Sequence, residues 1–360
     1  MLDIIGLGSL NIDYTATTEK ISALPASVVQ KLLAQVQRGA EKFADESAIE
    51  QLIASLGQDC FRATLGGSAF NTICAMAALI SGLSTGCVGV AGHTGSSGLD
   101  FARSMQGLGV NYQYVKFQTA KSCGLCLSLN HDGIRSFLFA PGSNNDMAAY
   151  LEDNFQAILE YVVNARLLQV TQFADERIAV LLARLLKEAK ARNPLLKISC
   201  DPGYCWLEDL KPSVSDIIRM SDFLFLNTIE FNKLAGGNIA ATGMTKAERI
   251  LSAGQERARL IVKEETEIKI YQRENREISE QIFPIDVLSN EEIIDATGAG
   301  DVFAAGFLTI LLRHGDKAMA EAVELGMRLM RAKLIVPPEK LYAELADIFK
   351  QYRAVCQKSD

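Results

Sequence analysis

The sequence carries no surplus of positive charge. Lys and Arg number 36 against 43 Asp and Glu in 360 residues, a formal net charge of −7. Nucleic-acid binding needs a basic stripe and adhesion to anionic membranes a basic patch, so neither partner is expected. No uninterrupted apolar run reaches the roughly 20 residues of a membrane-spanning helix. The stretch 63–99 holds no Asp, Glu, Lys or Arg, but Gly66, Gly67, Ser68, Asn71, Ser81, Gly82, Ser84 and Gly86 break it. Its apolar part, 70–83, reads as a buried helix leading into a buried strand. There is no GxxxxGK[ST] phosphate loop, no internal repeat and no low-complexity tract. Gly82-Leu-Ser84-Thr-Gly86 fits GxSxG, yet it runs from helix to strand, the reverse of a nucleophile elbow. The first residues include Asp3 and lack a positive leader, so the expected compartment is the cytoplasm. Of 8 cysteines, only Cys123 and Cys126 form a CxxC. A structural zinc site takes about four ligands, so the thiols read as reduced, buried hydrophobes.

Apolar residues make up 49% and charged residues 22%, which fits a globular chain. Short β-rich runs alternate with helical ones. Strands are predicted at 3–8, 85–90, 166–170, 196–200, 222–226 and 259–262, with helices at 68–83, 96–108, 174–192 and 229–234. Strands separated by helices imply βαβ units and a largely parallel sheet covered on both faces. Two regions break the rhythm. Residues 110–139 read as consecutive strands of an antiparallel sheet outside the parallel core, and 19–58 as a charged helical insertion.

Four motifs carry chemistry. Asp295-Ala-Thr297-Gly298-Ala299-Gly300-Asp301 precedes a long helical run. Its small residues let backbone N–H groups approach an anion at a helix N-terminus, and Asp301 can accept a proton from an attacking hydroxyl. A plain helix cap after a glycine turn is the alternative. Gly66-Gly67-Ser68-Ala69-Phe70-Asn71 opens a helix, where Asn71 can bond sugar hydroxyls; a simple loop-to-helix junction is equally compatible. Asn11 and Asp13, two apart on an extended segment, point to one side and can grip vicinal diols. Asn227-Thr-Ile-Glu230 follows a strand; it suits Mg²⁺ bound partly through water, or an exposed helix start.

Taken in order, SLNID, GGSAFN, PGSNN at 141–145, NTIE and DATGAGD resemble the ribokinase-like (PfkB) family of carbohydrate and nucleoside kinases across almost the whole chain. The resemblance implies a single α/β domain over 1–360, a three-layer α/β/α fold with a central, mostly parallel sheet. A small β-sheet lid would come from about 10–18, 59–65 and 110–139. It implies Asp301 as catalytic base, Gly298, Ala299 and Gly300 as anion hole, and Asn11, Asp13, Gly66, Gly67 and Asn71 as the sugar-binding group. Arg135 would be a lid arginine that approaches phosphate. Asn227, Glu230 and Thr297 would serve the nucleotide side, Glu230 helping to order Mg²⁺ through water. Asp295 would lie beside a monovalent-cation site, with K⁺ the candidate ion. The expected activity is ATP-dependent phosphorylation of a sugar hydroxyl, of ribokinase or fructokinase type. Two alternatives stay open. The insertion and Arg135 point to an adenosine-kinase-like nucleoside kinase. The acidic run Glu264-Glu265-Thr266-Glu267, set where a turn would face the nucleotide, points to a weakly active binding relative. Expected partners are a small sugar or nucleoside, with a homodimer as one arrangement of the lid edge.

Overall fold

The computed structural model describes residues 1–16, 41–57, 60–131, 134–237, 241–274, 277–289 and 291–356. Fourteen strands in these residues fall into two sheets: β1 Leu2–Leu7, β2 Asn11–Ala16, β3 Glu41–Phe43, β4 Phe61–Gly66, β5 Thr85–His93, β6 Asn111–Ser122, β7 Gly124–His131, β8 Ile134–Ala140, β9 Ala165–Thr171, β10 Lys197–Asp201, β11 Phe223–Asn227, β12 Arg259–Lys263, β13 Glu267–Glu274 and β14 Glu277–Pro284. The larger sheet has nine strands in the order β14-β13-β12-β11-β10-β9-β1-β5-β6. It is parallel from β12 to β6 and antiparallel only across β12, β13 and β14.

Alternation along each central strand feeds both faces. Ile4, Leu167, Phe223 and Phe225 join one core with helices Ser68–Ala78, Ala299–His314, Met319–Ile335 and Pro338–Cys356. Ile5, Leu168, Leu224 and Leu226 join the other, under helices Phe155–Val163, Glu176–Arg192, Pro212–Met220 and Gly243–Leu251. Successive side chains of a strand face opposite ways, so a sheet covered on both sides is written as unbroken apolar runs. Glu176–Arg192 shows how a covering helix is specified. Asp175 caps it by accepting from Arg177 N at 2.9 Å, Lys190 and Arg192 sit in its last turn, and Ile178, Leu182, Leu185, Leu186 and Ala189 face the sheet.

The smaller sheet is ordered β3-β8-β7-β2-β4, and its β2 follows directly from the carboxyl end of β1. The expectation for 110–139 needs correction here. β7 and β8 form the antiparallel hairpin of the small sheet, but β6 pairs parallel with β5 at the edge of the large one. Only Val115 of β6 is buried, so its sequence carries little that distinguishes one sheet from the other. The insertion expected at 19–58 contains, in its described part, strand β3 and helix Glu46–Leu56; residues 17–40 lie outside the described set, as do 58–59 and 132–133, where the sequence predicts a turn. The helix expected over 68–83 stops at Ala78, because Ile80 (φ +50°) and Gly82 (φ +80°) turn the chain into β5. Among the described residues no helix is long and apolar enough to cross a membrane.

Helices Ala299–His314 and Met319–Ile335 pack through two glycines. A Cβ on Gly306 would stand 2.9 Å from Gly326 Cα, and one on Gly326 2.8 Å from the Phe303 ring. Phe303 and Phe307 in turn pack edge-on against Phe225. Gly326→Val is expected to cost about 2 kcal/mol by overpacking this contact. Thermal and denaturant unfolding would measure it, and wild-type stability would contradict the close approach.

Candidate active site

Strand order reverses direction between β1 and β9: the chain proceeds through β5 and β6 on one side and through β10, β11 and β12 on the other. Such a switch point opens a crevice at the carboxyl ends of the strands, where α/β sheets take ligands. The chain leaves β1 at Gly8 and crosses into the small sheet as β2, carrying Asn11 and Asp13 over this crevice. Asn144, 4% exposed, fixes that crossing. Its side chain accepts from Leu10 N at 2.9 Å and donates to Leu10 O at 3.2 Å and to Asn11 Oδ1 at 3.0 Å. The run PGSNN marked this segment in the sequence, but the positioning role of Asn144 is visible only in the fold.

Two glycines make room for the polar residues. A Cβ on Gly66 would collide with the Asp13 carboxylate, and one on Gly67, at φ +111°, with the Ser9 carbonyl. The helix that follows, Ser68–Ala78, presents Asn71 and Thr72 to the opposite wall. Asn71 Nδ2 donates to Asp301 Oδ2 at 2.9 Å, and Thr72 Oγ1 donates to the Asp301 carbonyl at 3.2 Å. Asp301 stands in the first turn of Ala299–His314. The turn before it depends on Gly298 at φ +77°, a conformation strained for other residues, and a Cβ there would press on Asn71 Nδ2 at 3.0 Å. Gly300 leaves the helix mouth bare: a Cβ on it would stand 2.9 Å from Lys263 Nζ.

Lys263 was not singled out in the sequence. It ends β12 beside Asn227 of β11, and its ammonium lies 3.2 Å from Asp201 Oδ2 at the end of β10. The helix N-terminus and this ammonium converge on one small space, a suitable seat for a phosphate. The only local signal was a lysine closing an apolar strand, RLIVK.

Charge in the crevice is unbalanced toward carboxylate. Asp13 is 6% exposed, and among the described residues no hydrogen-bond donor reaches its carboxylate. Burial first, then the charges of Asp301 and Asp295, push its pKa up to about 7, against a smaller pull from Lys333. Asp301 is also raised to about 7, by burial and by the charge of Asp201, with the Asn71 hydrogen bond, Lys263 and Lys333 opposing. Burial would lower Lys263, but Asp201, Glu230 and Asp301 outweigh it and hold the ammonium raised.

Asp295, 6% exposed, accepts from Thr297 N through Oδ1 at 2.9 Å and from Lys333 Nζ through Oδ2 at 2.7 Å. The Thr297 hydroxyl lies 3.5 Å from that of Thr15 on β2 and 3.4 Å from that of Ser128 on β7, so the small sheet touches the Asp295–Asp301 loop. Asn227 and Glu230 form a capping box: Asn227 Oδ1 accepts from Glu230 N at 2.9 Å and Glu230 Oε2 from Asn227 N at 2.8 Å. They therefore combine the helix-start reading with a place beside Lys263. The Arg135 side chain lies outside the described set. The acidic run resolves simply. Glu264 and Glu267 pair with Lys269 at 3.0 and 2.8 Å, and Glu265 faces solvent. Cys123 donates to Gly92 O at 3.0 Å, with its thiol pushed up to about 11 by burial, and no cluster of three or more metal-ligating side chains occurs among the described residues.

Because Asp13 keeps in the folded state a proton that the unfolded chain releases above its ordinary 3.8, its burial lowers stability progressively between about pH 4 and 7. Asp13→Asn is expected to raise the unfolding midpoint at pH 8 by about 5 °C and to converge on wild type near pH 4. A thermal melt series measures this; a lower midpoint at pH 8 would contradict it.

The sequence matches the family model of pfkB family carbohydrate kinases over residues 45–334. A search of the curated proteins finds no match. Among solved structures, the chain is similar to adenosine kinase from Anopheles gambiae in complex with P1,P4-di(adenosine-5) tetraphosphate, at 21% identity and a TM-score of 0.76 over 95% of this chain and 98% of that one. It is similar to adenosine kinase from Sinorhizobium meliloti at 18% identity and a TM-score of 0.74, over 95% and 98% of the two chains. It is also similar to ribokinase from Giardia lamblia at 17% identity and a TM-score of 0.71, over 98% and 99%. These structures share its fold, an α/β architecture with a large, mostly parallel sheet and a smaller one. Through the match over residues 45–334, the chain belongs to the pfkB family of carbohydrate kinases, phosphotransferases that act on hydroxyl groups.

Proposed function

We propose that the protein transfers the γ-phosphoryl group of ATP to a hydroxyl of a small sugar, in the manner of a ribokinase or fructokinase. The observation that carries this reading is the pairing of two raised carboxyls in one crevice. Asp301 is oriented through Oδ2 by Asn71 at a helix mouth, and among the described residues no donor reaches the buried Asp13 carboxylate. Sugar hydroxyls can donate to the Asp13 carboxylate, with Asn11 beside it on the same face of β2. The acceptor hydroxyl then lies under Asp301, whose Oδ1 takes its proton as the oxygen attacks. The Gly298–Gly300 turn and Lys263 hold the transferring phosphoryl group and offset its charge. Closure of the small sheet through Thr15, Ser128 and Thr297 keeps water from competing as acceptor.

Mg²⁺ would need no protein cage here, and Glu230, whose Oε2 already caps its helix, would reach it only through water. The ion usually keeps several waters and takes most of its remaining ligands from nucleotide phosphates. Bound there, the ion would neutralise phosphate charge. The pairing of Glu264 and Glu267 with Lys269 removes the reason for reading the chain as a weakly active binding relative. A nucleoside acceptor is the second reading. β3 and helix Glu46–Leu56 enlarge the small sheet, and adenosine kinases match the chain over 95% of its length.

An ADP-release assay over a panel of sugars and nucleosides decides between the acceptors. Turnover with one class is expected; no turnover beside clear ligand-induced thermal stabilisation would support a binding module instead. Asp301→Asn is expected to lower kcat by about 100-fold or more. Since the base must be ionised and its pKa is raised to about 7, wild-type kcat/KM is expected to climb from pH 6 to 8 and then level. Near-wild-type turnover of Asp301→Asn would overturn the assignment.

A further inference from the structure

One buried cation near the crevice is paired with Asp295. Lys333 lies in the last turn of Met319–Ile335, and its side chain is 10% exposed. Nζ donates to Asp295 Oδ2 at 2.7 Å and to the Asp295 carbonyl at 3.3 Å. The next carbonyl, that of Leu334, accepts from Ile294 N at 2.8 Å and from Asp295 N at 3.4 Å. The other carboxylate oxygen of Asp295 takes the Thr297 N–H. The end of one helix is thereby tied, through Asp295, to the turn that opens the helix bearing Asp301. The Lys333 charge reaches further, countering the upward push on Asp13 and Asp301.

The family resemblance implies a monovalent ion, K⁺, beside Asp295 and Thr297. The residues present do not fit it. Such an ion is held by oxygens that replace its hydration shell. Here the carboxylate and carbonyl oxygens of Asp295 already face an ammonium, and a second cation on them would meet it at short range with little water to screen the repulsion. We propose that Lys333 is a tethered cation that takes the place of a monovalent ion and acts as a positioning residue for the Thr297–Gly300 turn. The inference rests on the kinase reading for its activity arm. It follows that phosphoryl transfer by this chain does not depend on K⁺.

The test compares KCl with tetramethylammonium chloride at equal ionic strength. Wild-type kcat and unfolding midpoint are expected to be the same in both salts; a several-fold rise in kcat or a raised midpoint in KCl would overturn the proposal. Lys333→Met is expected to lose about 100-fold in kcat with little change in sugar KM, and to recover part of it in ammonium or potassium chloride but not in tetramethylammonium. Retention of full kcat, or loss without cation rescue, would also overturn it. Should Lys333→Met fail to fold, Asp295→Asn/Lys333→Met removes both charges; it is expected to show reduced kcat that no salt restores, and full activity would contradict the positioning role. If wild type turns over no substrate, the kinase reading fails, while the salt dependence of the midpoints still decides the tethered cation.

Discussion

Four aspartates crowd one crevice, and the rest of the structure is arranged around holding them there. Asp13 and Asp295 are each 6% exposed, Asp201 closes β10, and Asp301 opens a helix. Carboxylates so placed repel one another in a medium that screens poorly. Two ammonium groups oppose the repulsion: Lys263 against Asp201, and Lys333 against Asp295. Among the described residues no ammonium or guanidinium pairs directly with Asp13 or Asp301, and both are raised to about 7. Each unit of that shift corresponds to about 1.4 kcal/mol of differential interaction, so the folded chain carries a destabilisation on the order of a few kcal/mol at this place. On the proposed reading, that cost sustains a proton acceptor poised near neutrality, Asp301, and a carboxylate for hydroxyl donors, Asp13.

The scaffold explains how such a cluster persists. Three elements converge from distant parts of the chain: β2 from the small sheet, the mouth of Ser68–Ala78, and the mouth of Ala299–His314. Each is fixed by short contacts, through Asn144 on β2, Asn71 and Thr72 between the helices, and the Gly306–Gly326 approach behind Asp301. Glycines appear where a side chain would displace a charged group. Gly66 clears Asp13, and Gly300 clears Lys263. Polyphosphate binding by a chain of net charge −7 is thereby compatible with its acidity, since the positive potential is local: a helix terminus and one lysine.

Much of this was legible in the sequence. Strands buried on both faces appear as apolar runs such as FLFL at 223–226, and DATGAGD reads as a turn into a helix because small residues and Asp cluster there. Residue type, spacing and the family resemblance single out Asn11, Asp13, Asn71 and Asp301, and the fold brings them to one crevice. The lysines were not, because one lysine at a strand end or in a last helical turn has no local pattern; Lys263 and Lys333 become meaningful only when β10, β12 and Met319–Ile335 are brought together. β6 belongs to the large sheet, which its sequence does not show because Val115 is its one buried residue. The role of Asn144 needed the crossing from β1 to β2, which no local spacing encodes. Asn227 and Glu230 were read as either a helix start or a phosphate-side motif, and they turn out to cap their helix beside Lys263.

The central claim is that the crevice poises Asp13 and Asp301 near neutrality. Carboxyl-¹³C NMR titration of the aspartate-labelled full chain tests it most directly, with Asp13→Asn and Asp301→Asn assigning the resonances. The account predicts two aspartate carboxyls titrating near pH 7, well separated from the rest. All aspartates titrating below about pH 5 would contradict it.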